Sequence, residues 1–331
     1  MPGVDGRVRS GALTAGETKA LWWALPPLLV FAMANLLFDI VGAGYGEFGR
    51  ALAVRPVTDP GSEARAAITV AGLSWAATAI LHVAATVGCS IAAWRIVRSR
   101  VVARALRPFR LLTLCLVVLG VTHLALVDAL GLPMLAVFEV TFRALALAEV
   151  LSPIELHGIN VVLAVINITS GIVPALFLTA AAASALPPVG GWDEAALARR
   201  ARQLRELVAI AAVYMVAGVV HMGAWTHWAV ALVGDPTHAP SLAALAQGVT
   251  LFWGTAFTAM IASFYVPMTV VLRRLAGEVM DATAVATDIR PAWLKARGLS
   301  FDVADQLPQV VAMAAPLLAG PLSAVVGVAK L

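Results

Sequence analysis

The stretch LVAIAAVYMVAGVVHMGAWTHWAVALV, Leu207–Val233, decides the fold class of this chain. It contains no Asp, Glu, Lys or Arg, and as a helix it is long enough to cross about 30 Å of hydrocarbon. His221 lies near its middle. Two further apolar stretches, around His82 and His123, have the same form. The chain is therefore predicted to be an all-α, multi-pass membrane protein, because helices satisfy their own backbone groups in lipid.

The overall composition agrees with a membrane protein. Apolar residues make up 61% of the chain and charged residues 13%, whereas a soluble domain has about 45–50% and about 25%. The net charge of +4 comes mainly from arginines at the ends of the apolar stretches. This charge indicates orientation in a lipid bilayer and excludes a nucleic-acid-binding surface, which would need a basic soluble domain.

Six membrane spans are predicted, at about residues 21–43, 68–94, 111–130, 158–183, 207–233 and 248–272. The arginine-rich connections between them all fall on one side, and the strongest is RIVRSRVVARALRPFR at residues 95–110. The positive-inside rule assigns that side to the cytoplasm. We therefore expect a bacterial-type cytoplasmic (inner) membrane protein with its N-terminus inside.

The chain divides into three predicted parts. Residues 1–20 form a cytoplasmic tail, 21–274 form the six-span domain, and 275–331 form a cytoplasmic helix followed by an apolar element. A segment at 133–156 has helical periodicity and is predicted to lie along the outer membrane surface or to cap the bundle.

The apolar C-terminal element covers residues 307–331. It is long enough for a seventh span, but Pro316 and Pro321 favour a broken or re-entrant element. The cytoplasmic helix before it is predicted at 277–297, with Gly298 as its C-cap.

The three central histidines, His82, His123 and His221, share one predicted depth. They lie 13, 13 and 16 residues along the chain from the nearest predicted cytoplasmic arginines, Arg95, Arg110 and Arg205. In a helix these separations are about 20–24 Å, close to the membrane midplane. Ionisable residues at this depth are costly in lipid, so their side chains are expected to face the interior of the bundle.

Several functions are compatible with these histidines. The leading hypothesis is transport or permeation of a small solute or ion, with Asn160 and Asn167 lining a polar path beside the three histidines. The histidines could instead be haem b or metal ligands in an electron-transfer subunit. They could also simply hydrogen-bond neighbouring helices, in an oligomer or a non-catalytic subunit of a larger complex.

A second polar group, Asp39, Asp128, His157 and His227, is predicted at the outer side. It is either ordinary surface or a metal-loading site. The two cysteines, Cys89 and Cys115, have neither disulfide nor metal-site spacing, and nucleotide-binding and hydrolase motifs are missing from the sequence. An enzyme is therefore not favoured, and no cofactor is assigned.

Overall fold

The computed structural model of the chain describes residues 22–42, 61–98, 134–184, 191–233, 239–300 and 302–328, with Leu186, Pro188 and short helical pieces between 110 and 122. Most of these residues are helical, and they include no β-strand. They form eight α-helices, which are α1 (Leu25–Gly42), α2 (Ser62–Arg98), α3 (Met134–Leu147), α4 (Pro153–Ser184), α5 (Glu194–Ala231), α6 (Ala239–Ala282), α7 (Arg290–Ala296) and α8 (Val303–Val328).

Four of these helices are long and apolar enough to cross a membrane, and they are α2, α4, α5 and α6. The predicted multi-pass helix bundle is confirmed in this coarser form. The first predicted span corresponds to a shorter apolar helix, Trp22–Phe38. Most of the third predicted span, at 111–130, lies outside the described residues. The structure therefore does not confirm six spans.

The stretch Leu207–Val233 belongs to the central helix of the bundle. Of the four candidate spans α5 is the most buried, with 61% of its apolar window inside the protein against 28–39% for the others. It packs against α2, α6 and α8. The helix begins earlier than predicted, at Glu194, where the Asp193 carboxylate caps it by accepting the Ala196 N–H at 2.6 Å.

The C-terminal apolar element differs from its prediction. It is a single helix, α8, that runs through Pro308, Pro316 and Pro321 and is not broken there. Packing accounts for this, because α8 lies against both α5 and α6. Gly254 of α6 provides the close approach, since a Cβ there would lie 2.5 Å from the Pro316 carbonyl oxygen. Tertiary contact therefore outweighs the helix-breaking tendency of proline.

The segment predicted as one helix at 277–297 is two helices. α6 continues to Ala282, beyond the predicted domain boundary at 274, and α7 begins at Arg290. The break follows Ala284, which has φ +53°, with the Val285 N–H bonded to the Met280 carbonyl at 2.9 Å. This is a Schellman motif, and the sequence concealed it because the left-handed position holds alanine instead of glycine.

The Gly298 cap is confirmed. Gly298 has φ +68°, and the Leu299 N–H bonds to the Leu294 carbonyl at 2.9 Å.

The predicted segment at 133–156 also contains a helix, α3, which packs on the bundle through the fully buried Leu145. The Thr141 hydroxyl donates to the Trp225 carbonyl at 3.0 Å and ties α3 to α5.

Candidate functional site: a buried histidine pair

The structure brings together two of the three predicted histidines, His82 on α2 and His221 on α5. Their ring centroids are 5.8 Å apart and the ring planes differ by 29°, so the imidazoles are stacked. His82 is 2% exposed and His221 is 5% exposed. Two ionisable side chains from different candidate membrane spans therefore meet inside the bundle.

The His82 ring packs beside Gly218 of α5. A Cβ on Gly218 would lie 3.5 Å from His82 Cε1 and 3.7 Å from Nδ1, which is ordinary van der Waals contact. The ring therefore lies beside α5, about one turn before His221. Gly218 is thus a point of ordinary packing between α2 and α5.

Hydrogen bonding of the pair is incomplete. The Ser170 hydroxyl of α4 lies 3.5 Å from His82 Nε2, at the limit of a hydrogen bond. Nδ1 of His82 and Nδ1 of His221 make no hydrogen bond of normal geometry, although the backbone of Ala217 lies near the His82 ring. Buried polar atoms are normally paired, so this concentration of unpaired nitrogens distinguishes the site from ordinary core.

The histidine pair lies within a longer row of aromatic side chains at the α2–α5 interface. Tyr214 contacts His82 with centroids 5.2 Å apart, and Trp75 contacts His221 at 6.2 Å and Trp228 at 5.5 Å. We call these five residues the aromatic row. The Trp75 and Trp228 indole nitrogens and the Tyr214 hydroxyl are also buried without a normal hydrogen bond. Polar atoms thus extend to both sides of the pair in an otherwise apolar interface.

The site offers few ligands for a metal. Among the described residues, His82 and His221 belong to no group of three or more His, Cys, Asp and Glu side chains that could hold an ion. Zinc sites in proteins use three or four protein ligands. Cys89 is buried on α2, but its thiol bonds to the Ile210 carbonyl at 3.4 Å. The two imidazoles are therefore the only nitrogen ligands that this part of the structure brings together for a metal or a haem iron.

The other residues predicted for the polar path lie elsewhere or cannot be placed. Asn160 and Asn167 are exposed on α4. His123 lies outside the described residues. Ser170 is the α4 side chain that reaches His82.

The predicted outer polar group is not assembled as one site in the described residues. His157 is exposed, and His227 is half-buried with Nδ1 2.8 Å from the Gly223 carbonyl of its own helix. The Asp39 side chain and Asp128 lie outside the described residues.

Sequence reasoning missed three contacts of the pair, which are Ser170, Tyr214 and Trp75. A signal for two of them was present, because Tyr214 and Trp75 each precede a histidine by seven residues. Seven residues are two helical turns, so both lie on the same face as the histidine that follows. Ser170 comes from a third helix, and no spacing predicts that contact.

The chain matches no family model, no curated protein and no solved structure. Its chemistry is therefore argued from the site. A neutral imidazole has one donor and one acceptor nitrogen, and the acceptor can take up a proton. Two imidazoles in contact, flanked by hydroxyls, can accept, hold and pass on a proton.

Proposed function

We propose that this protein transports or conducts a small solute or ion across a membrane, and that the His82–His221 pair is its proton-carrying element. The observation that carries the proposal is the stacked pair itself, with an unpaired Nδ1 on each ring, buried between two candidate membrane spans. Ionisable groups retained at such depth are expected to have a functional role, because burying them costs stability.

The stacking geometry limits the pair to one proton at a time. Two positive charges about 5.8 Å apart repel each other by about 3 kcal/mol at an effective dielectric constant of about 20. Among the described residues, no acidic side chain joins the two rings, so a second positive charge would not be offset. A pair that alternates between zero and one proton is suited to coupling proton movement to a conformational change.

Further residues complete the proposed pathway. His123 stays a predicted third member at the same depth. Ser170 and Tyr214 are the hydroxyls next to His82, and we assign them in place of Asn160 and Asn167. The positive-inside rule supports an inner-membrane orientation with a cytoplasmic N-terminus.

Reconstitution into liposomes that contain a pH-sensitive dye tests the proposal. A potassium gradient in the presence of the carrier valinomycin supplies the membrane potential, and the dye reports proton entry. We expect His82→Gln combined with His221→Gln to reduce proton flux at least about tenfold. His157→Gln is the matched control because His157 is exposed. Equal flux through the double variant and the wild type would refute the proposal.

A haem- or metal-binding electron-transfer subunit is the second candidate. It is favoured by one observation, that the two imidazoles come from different helices, α2 and α5. An absorption spectrum of the purified protein separates the candidates. A Soret band lost on substitution of His82 would establish haem ligation and overturn the transport proposal. Tolerance of the double substitution, with partners that co-purify in fixed ratio, would indicate a non-catalytic subunit.

A further inference from the structure

A second unusual site lies at the start of α5, far along the helix from the histidine pair. Four arginines, Arg199, Arg200, Arg202 and Arg205, fall within two helical turns there. Arg200 is 3% exposed. Its Nη1 donates to the Gln203 side-chain oxygen at 2.9 Å, whereas its buried Nη2 has no hydrogen-bond partner.

Two carboxylates at the start of α5 are engaged with other groups. Asp193 caps the helix, and Glu194 pairs with Arg297. Other acids at this end of the bundle form three further ion pairs, which are Arg274–Glu278, Arg290–Asp281 and Lys295–Asp305. Within the described part of the chain, none of these carboxylates is paired with Arg200.

Among the described residues, the positive charge of Arg200 is therefore not offset by a carboxylate. The charged group with the largest effect on it is Arg199, which repels it. Arginine stays protonated in proteins, and a buried unpaired charge is destabilising unless an opposite charge is supplied. Since the described residues do not supply that charge, an anion from outside the chain would have to supply it.

We propose that Arg200, held by Gln203 and assisted by the half-buried Arg199, binds a phosphate-type anion. The guanidinium fork matches phosphate oxygens, and Nη2 has its donors free. The positive-inside rule places this end of α5 at the cytoplasmic face, where anionic phospholipids expose phosphate groups. The anion is therefore either the phosphate of such a lipid or free phosphate. The site is independent of the histidine pair.

Thermal unfolding of the full-length protein in neutral detergent tests this site, with tryptophan fluorescence as the signal. One arm adds inorganic phosphate against chloride at equal ionic strength. The other adds phosphatidylglycerol against phosphatidylcholine in mixed micelles. At a concentration about tenfold above Kd we expect Tm to rise by about 3 °C in at least one arm. A response to phosphatidylglycerol alone identifies the lipid, and a response to inorganic phosphate identifies the free anion.

Arg200→Gln should abolish the rise in Tm. Arg202→Gln is the matched control, because it removes the same charge from an exposed position two residues away. If Arg200→Gln does not fold, Arg200→Lys keeps the charge but loses the fork, and its anion affinity should fall about tenfold. No rise in the wild type in either arm, or an equal loss in Arg202→Gln, would overturn the site.

Discussion

The imidazoles of His82 and His221 stack at a centroid distance of 5.8 Å, although 139 positions separate them in the sequence. This contact depends on α2 and α5 lying side by side, with Gly218 against the His82 ring. The pair is therefore a product of tertiary packing and not of either helix alone. Its two members should also act as a unit.

The first prediction concerns this unit. If a proton must pass between both rings, removing either ring interrupts the path, so the effects of the two substitutions should not add. We expect His82→Gln, His221→Gln and the double variant to lower proton flux in liposomes to the same residual level. Additive losses would indicate two separate paths and contradict a shared one.

The fold could be predicted from the sequence where the signal is local. Long uncharged stretches such as Leu207–Val233 identify helices that can cross a membrane, since length and polarity are properties of the segment itself. The cap at Gly298 was predictable for the same reason. The course of α8 was not, because its persistence through Pro316 depends on contact with Gly254.

The candidate site was predictable only in part. Counting residues from the arginines placed His82 and His221 at one depth, and depth along a helix follows from rise per residue. The rotation of each helix about its own axis does not follow from the rise per residue. Asn160 and Asn167 share a face as predicted, but that face is exposed, whereas Ser170 approaches His82.

The second prediction concerns the contact between α6 and α8. A Cβ at Gly254 would lie 2.5 Å from the Pro316 carbonyl oxygen and 3.1 Å from Leu317 Cα, and backbone atoms cannot move aside as a side chain would. Gly254→Ala should therefore separate the helices and cost about 1–3 kcal/mol, the usual range for overpacking.

Gly248, on the same helix, serves as the control for Gly254. A Cβ there would meet no atom within 4 Å, so Gly248→Ala should gain up to about 1 kcal/mol from helix propensity. Thermal unfolding of both variants in one detergent measures the difference. A Gly254→Ala variant as stable as Gly248→Ala would show that α6 and α8 are not in backbone contact.

The third prediction uses the two left-handed caps around α7. Ala284 has φ +53° and is exposed, so it bears a steric cost that glycine avoids. Ala284→Gly should stabilise the protein by about 0.5–1 kcal/mol. Gly298→Ala should do the reverse, because its φ is +68° and the added Cβ would also displace the flexible Arg205 side chain. Ala282→Gly, in the last turn of α6, is the control and should destabilise. If thermal unfolding showed that Ala284→Gly and Ala282→Gly change the stability in the same direction, the left-handed cap at Ala284 would be contradicted.

The fourth prediction separates stability from function at Tyr214. Its hydroxyl is buried, lies towards Ser170 and makes no normal hydrogen bond, so it contributes little to folding. Tyr214→Phe keeps the ring that contacts His82 and removes the unpaired group. We therefore expect unfolding to be unchanged, or stabilised by up to about 1 kcal/mol, because the desolvation cost is removed. Proton flux should fall nevertheless, since the hydroxyl is the polar atom next to His82 on this side of the pair.

Phe177, which packs edge-on against Tyr214 at 5.7 Å, provides the comparison. Phe177→Leu should lower Tm and leave the flux per folded molecule unchanged. A Tyr214→Phe variant with normal flux would remove Tyr214 from the path and leave the two imidazoles and Ser170.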